Sequence, residues 1–163
     1  MAYFLDTNVF IQAKNLHYGF DFCPAFWEWL IAKNAEEKVF SIEKVRGEVR
    51  VADDELSSWV SERGDEFFLK PDDATIPALG HVSAWVTNHS RYTHAAASTF
   101  LQEADYYLVA QAMAGQHVVV THEVPADTPH KIKIPNACIE MRITCMNPFE
   151  MLRTEEARFV FGS

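Results

Sequence analysis

Met1-Ala2-Tyr3-Phe4-Leu5-Asp6-Thr7-Asn8-Val9-Phe10 is the stretch that decides the fold. Tyr3, Phe4 and Leu5 make a short apolar run of the kind that fills a buried parallel strand. Asp6-Thr7-Asn8 interrupts it, and Val9, Phe10 and Ala13 resume the apolar pattern at helical spacing. An acid at the C-terminal end of such a strand, ahead of a helix, faces the crevice in which open α/β sheets bind ligands. The ordinary role of an Asp-Thr-Asn run is to cap the helix that follows. Which role applies depends on what the rest of the chain sends to the same place.

Working outward, the pattern stays α/β. Asp21 to Lys38, with Phe22, Phe26, Trp27, Trp29, Leu30 and Ile31, reads as a helix with one broad aromatic face. Val39-Phe40-Ser41-Ile42 reads as a strand. Amphipathic pieces follow over Glu43 to Val51 and Asp53 to Arg63, the second begun by acids suited to a helix N-terminus. Phe67-Phe68-Leu69 is a further strand, Thr75 to His89 a helix, and Ser90 to Thr93 a turn. Ala95 to Ala114 is helical with a break near Glu103, placing Leu101, Asp105, Leu108, Val109 and Ala112 on one face. His117 to Thr121 is the clearest buried strand. A long polar loop from His122 to Pro135 leads to a short helix over Asn136 to Met141, a strand at Ile143-Thr144-Cys145, and a helix over Pro148 to Arg153. The expected fold is a three-layer α/β/α sandwich around a mostly parallel sheet of four or five strands. Residues 1–163 form one domain, and the tail 154–163, with Phe159-Val160-Phe161, is expected as an added edge segment or a docking segment.

Composition narrows the classes. The chain has 163 residues, 48% of them hydrophobic, with twelve Phe and four Trp, enough to bury one substantial core. No apolar run approaches the length of a membrane span and no leader pattern is visible, so a cytoplasmic protein is expected. Cys23, Cys138 and Cys145 lack C-x-x-C spacing and read as buried thiols. The net charge of −9 argues against broad electrostatic binding of nucleic acid. It permits a nucleic-acid enzyme whose carboxylates hold divalent metal, because the metal inverts the local sign.

Four acids fall near one end of this sheet. Asp6 ends the first strand, and Glu48 lies in the helix after the second. Asp105 lies on an apolar helix face, where an unpaired charge costs several kcal/mol. Glu123 follows the strand ending at Thr121, a position equivalent to that of Asp6. Carboxylates gathered in this way suit Mg²⁺ or Mn²⁺, which take oxygen ligands and leave positions for water and phosphate. The seven His residues show no H-E-x-x-H pattern, and no Cys joins them at zinc-ligand spacing. His81, His89, His117 and His122 read as surface or loop residues.

Phe4-Leu5-Asp6-Thr7-Asn8, Glu48 in its helix, Ala104-Asp105 with Leu108-Val109-Ala110-Gln111-Ala112, and Val119-Val120-Thr121-His122-Glu123 together resemble the spaced signatures of PIN-domain nucleases. The chain is most similar to stand-alone bacterial members such as the VapC toxins, over roughly residues 1–153. The resemblance implies a metal-dependent ribonuclease, the toxin of a toxin-antitoxin pair, using Mg²⁺ or Mn²⁺. It puts the metal and the catalysis on Asp6, Glu48, Asp105 and Glu123, with Asn8 and Thr121 positioning ligands or water around them. Where the family carries Asp, this chain has Glu123, whose extra methylene moves the carboxylate by about one bond length (~1.5 Å). Arg46, Lys131 and Lys133 are the expected contacts to RNA phosphates, and Asn136, in a segment that also resembles the family, is a second candidate to face the site. The expected partners are RNA, an antitoxin protein and a second copy of the chain, the last because the aromatic surplus exceeds what one small domain needs.

Two other readings compete. A PIN-like fold without activity would serve as a binding module, and Glu123 favours it. A phosphatase of the haloacid-dehalogenase type would use the Asp6 strand as nucleophile, but it needs a second acid at position 8, where Asn8 cannot exchange a proton. The loop from His122 to Pro135, with its two lysines, is expected as a flap over bound RNA.

Overall fold

The computed structural model describes residues 1–88 and 91–162; His89, Ser90 and Ser163, on which parts of the expected helix, turn and tail fall, lie outside the described residues. Five strands form one sheet: β1 (Tyr3–Leu5), β2 (Val39–Ile42), β3 (Phe68–Leu69), β4 (Val118–Val120) and β5 (Cys145–Met146). Their order is β3-β2-β1-β4-β5 and each pairing is parallel, with Tyr3 beside Val39 on one side and Val118 on the other. Every residue of β1 and β4 is buried, as expected of strands covered on both faces. The connections are helical: α1 (Thr7–Gln12), α2 (Pro24–Ala35), α3 (Glu43–Arg50), α4 (Glu55–Ser61), α5 (Thr75–Asn88), α6 (His94–Gln102), α7 (Ala104–Gly115), α8 (Ile134–Met141) and α9 (Pro148–Thr154). The architecture is the expected three-layer α/β/α sandwich. Among the described residues, no helix is long and apolar enough to cross a membrane.

Local chemistry sets several boundaries. Asp54 starts α4 by a reciprocal capping box with Ser57. Glu103, extended at φ −94° and ψ 163°, breaks the α6–α7 run where the sequence placed a break. The break puts Leu101 in α6, so it does not continue the α7 face that buries Leu108, Val109 and Ala112. After α1 the backbone widens into a π-helical turn, Ala13–His17, closed by the Tyr18 N–H donating to the Ala13 carbonyl at 2.7 Å. The expected aromatic helix is shorter than its pattern: Phe26, Trp27 and Leu30 are buried, whereas Phe22 precedes the helix and is exposed.

Much of the aromatic surplus is consumed inside one chain, although Phe22 stays exposed. Phe10 sits among Trp59, Phe67 and Phe68, with centroids 5.9–6.3 Å apart, and Trp27 packs on Trp59 at 5.0 Å and Phe20 at 4.2 Å. Burying each such ring contributes roughly 2–3 kcal/mol, which weakens the aromatic argument for a dimer. Among the described residues of the tail no strand forms, and the segment docks instead. Glu155 accepts hydrogen bonds from the Tyr3 hydroxyl (2.8 Å) and Lys38 (3.2 Å), holding the end of α9 against the start of β1. Phe159 then docks on Tyr18 and Phe26, and Phe161 is fully exposed. His117 is also not a surface group: it stacks on Phe4 at 4.8 Å and its Nδ1 accepts the Ala2 N–H.

Candidate functional site

The sheet order turns at its centre. From β1 the chain builds β2 and β3 to one side; β4 and β5 lie on the other. The C-terminal ends of β1 and β4 therefore frame the switch-point crevice where parallel sheets take ligands. Asp6 follows β1 directly, and Thr121 and Glu123 follow β4. Glu48 reaches in from α3, and Asp105 stands in the first turn of α7, toward the positive end of that helix.

Asp6 is buried, 4% exposed, and both its oxygens are engaged. Oδ1 accepts the Thr7 N–H at 2.7 Å, capping α1, and Oδ2 accepts the Thr121 hydroxyl at 2.8 Å. Thr121 is a junction, since its Oγ1 also accepts from Asn8 Nδ2 (3.3 Å) and the Glu123 N–H (3.0 Å). Asn8 closes the circuit by accepting the His122 N–H at 3.1 Å. Asn8 and Thr121 thus hold the β1 and β4 ends together. Glu48 is exposed but restrained: its carboxylate accepts the Thr7 hydroxyl at 2.7 Å and the Ala104 N–H at 3.4 Å. One residue, Thr7, therefore links Asp6 to Glu48, and the next contact leads to the residue before Asp105.

The electrostatics bear the mark of crowding. Burial pushes Asp6 up to about 7, against the Thr121 and Thr7 hydrogen bonds that lower it, and repulsion from Glu123 and Glu48 adds to the rise. Half-buried Asp105 is pushed up to about 8, by burial first and then by Asp6, Glu123, Glu103 and Glu48. Among the described residues no Lys or Arg forms an ion pair with any of the four acids. The donor set consists of hard oxygen ligands with uncompensated charge, which fits a divalent cation in chemistry. It is not a closed ligand shell: among the described residues no three His, Cys, Asp or Glu side chains are already set to hold a metal ion. Glu48 is held in place by Thr7 and Ala104. Glu123 Oε1 accepts the Ile134 N–H at 3.2 Å, so it supplies a partner for the start of α8.

The expected cations divide. Arg46 does not face the acids: two residues from Glu48, it lies about 200° around the helix, donating to the Ser61 carbonyl and resting 6.0 Å from the Phe68 ring. Lys131 is exposed and lines a cleft of about 320 Å³ with Ala95, Thr99, Glu103 and His130. Lys133 is half-buried immediately before α8. Asn136 does not reach the site, because its amide exchanges two hydrogen bonds of 3.1 Å with Ala126. Those bonds, the Thr93 N–H on the Pro129 carbonyl and an Arg91–Asp127 ion pair tie the 122–135 loop down as a strap in place of a free flap.

Sequence reasoning missed Thr7, although a hydroxyl directly after a strand-ending acid is a signal for it. It also missed the ring group of His17, His122 and Phe149. His17 stacks on His122 at 5.7 Å and meets Phe149 edge-on at 5.0 Å, a contact made by the π-helical turn that no periodicity announces.

One family model, described as a domain of unknown function (DUF4411), matches residues 3–159, so the chain belongs to that family. No curated protein and no solved structure matches it.

Proposed function

We propose that this member of the DUF4411 family is a metal-dependent ribonuclease, the toxin of a toxin-antitoxin pair similar to the VapC toxins, working in the cytoplasm. The observation that carries the reading is the gathering of Asp6, Glu48, Asp105 and Glu123 at the switch point of a parallel sheet, unpaired by any described cation and with two pKa values raised. Asp6, Glu48, Asp105 and Glu123 are the residues that would hold Mg²⁺ or Mn²⁺. The ion would supply charge to polarise the phosphate and to acidify an attacking water.

The chain's own contribution is positioning. Thr7 and Thr121 each hold one oxygen of the Asp6 carboxylate, so its orientation is fixed. Asn8 keeps the β4 end in register with it. Glu48, and Asp105 once a cation displaces its proton, would supply negative charge to hold the ion. Lys131, which lines a cleft with Glu103, and Lys133 are the cations that would meet phosphates of the incoming strand. An antitoxin would cover this crevice, and a homodimer belongs to the same proposal.

A second reading, a PIN-like module that binds without cutting, draws support from Glu123, whose carboxylate is occupied with the Ile134 N–H. The phosphatase reading has no acid to use at position 8, where Asn8 is committed to Thr121 and His122. Incubating the purified chain with single-stranded RNA separates these. The ribonuclease reading expects cleavage with Mn²⁺, none with chelator, and none from Asp6→Asn; RNA left intact by the parent at every metal tested refutes it.

A further inference from the structure

Beside the acid crevice, on its β5 side, lies a cavity of about 400 Å³, within the ~300–1,000 Å³ range of small-ligand sites. Thr121, His122 and Glu123 form the wall it shares with the crevice. Val124, Ile139, Ile143 and Met146 supply apolar surface, and Phe149 an aromatic ring. Two of these side chains are left open at the mouth, Val124 at 70% and Ile139 at 65% exposure. The residues around it include two carboxylates, Glu123 and Glu150, and no lysine or arginine. Such a cavity rejects a phosphate and accepts a flat, neutral, mostly apolar group with a polar edge. His122 and Phe149, both in its lining, lie 5.8 Å apart at 67°, and His17, carried by the π-helical turn, packs on both rings, so the lining is partly aromatic.

We propose that this cavity takes a nucleobase of the RNA strand whose phosphate lies at the four carboxylates. The proposal rests on the ribonuclease reading for the source of the base. Three features point to this occupant over a protein side chain. The cavity is continuous with the phosphate-handling crevice through residues common to both. Its lining is partly aromatic, and single-stranded RNA is held by stacking unpaired bases on such rings. Its lining holds Glu123 and Glu150 and disfavours anions, while Lys131 lines a separate cleft beside Glu103, so backbone and base are sorted to different places. A strand entering past Lys131 would present its phosphate to the acids and turn the next base into the cavity.

The test uses the full chain without metal, so that it does not depend on catalysis. Adenosine and cytidine are titrated while the methyl signals of Val124, Ile139, Ile143 and Met146 are followed by NMR, with ribose 5-phosphate as the probe lacking a base. Saturable shifts of these methyls with nucleosides and none with ribose 5-phosphate are expected. Val124→Trp with Ile139→Trp, both at exposed positions that leave the core intact, should fill the mouth and weaken nucleoside binding by about tenfold or more, the scale of one lost base stack. Nucleosides that move none of the four methyls, or bind the double variant as they bind the parent, overturn the proposal. So does a result in which only an apolar peptide moves them, which would make the cavity a protein-docking surface. Nucleoside binding in a protein that cuts no RNA would sink the ribonuclease reading and leave the base site standing; RNA cleavage with silent methyls would do the reverse.

Discussion

Asp105→Asn should make the metal-free protein less sensitive to rising pH. In the fold Asp6 and Asp105 hold protons up to about 7 and about 8, against ~3.9 for an unperturbed Asp. A folded-state pKa that is raised contributes stability fully present below the unfolded value and lost as pH climbs through the folded one. Between pH 5 and 6.5 the folded chain therefore holds one to two protons that the unfolded chain lacks. Stability should fall by about 1.4 to 2.7 kcal/mol per pH unit from these two groups. His117 and His122 act in the opposite sense, because burial lowers their pKa and their stabilisation grows as pH rises toward the ordinary histidine value. Comparing parent and variant cancels the histidines. The Asn side chain cannot titrate, so the variant's slope should differ from the parent's by about 1.4 kcal/mol per pH unit, one proton's worth. Above pH 8 Asp105→Asn should be the more stable of the two, with a Tm higher by several degrees (about 2–4 °C per kcal/mol for a domain of this size). Urea denaturation at half-unit steps from pH 5 to 9, with chelator throughout, measures both. Identical slopes would show that Asp105 is ionised and satisfied in the fold, and the crowding argument would fail.

Other substitutions test the framework around the acids. Thr7→Val removes the 2.7 Å bond that holds Glu48, and calorimetric titration should find Mn²⁺ affinity reduced by about tenfold or more with little change in Tm. Ser41→Ala deletes the buried bond of 2.6 Å to the Leu5 carbonyl, and urea denaturation should register a loss of about 1–3 kcal/mol. Phe10→Ala empties the space among Trp59, Phe67 and Phe68, and the same assay should show a loss of about 3–5 kcal/mol.

The parts of the fold written as strong patterns were legible in the sequence. Apolar runs at Tyr3–Leu5 and Val118–Val120 announce buried strands, because a strand covered on both faces has no polar side to show. The Glu103 break was legible because apolar spacing loses phase there. Short pieces were harder: β5 is two residues long and is set by pairing with Val119 and Val120 more than by its own propensity. For the tail, the composition of Phe159-Val160-Phe161 left an edge strand and a docking segment equally open, and the Glu155 bonds and the Tyr18–Phe26 surface decide where its described part goes. For the site, strand-end position was enough to nominate Asp6 and Glu123. Topology nominated Arg46, which lies two residues from Glu48, but the turn of the helix and its contacts with Ser61 and Phe68 show that it points elsewhere. Hydrogen bonds between residues far apart in sequence, such as Thr7 to Glu48 and Glu123 to Ile134, leave no trace in local pattern.

The account stands most directly on whether the four carboxylates take up a divalent cation in place of their protons. Calorimetric titration of Mn²⁺ into the metal-free chain at pH 7, repeated in buffers of different ionisation enthalpy, counts the protons released on binding. With Asp6 near 7 and Asp105 near 8, saturable binding at pH 7 should release roughly one and a half protons per chain, and Asp105→Asn should release about half a proton while binding more weakly. Absence of saturable binding, or binding with the same proton count in parent and variant, would contradict it.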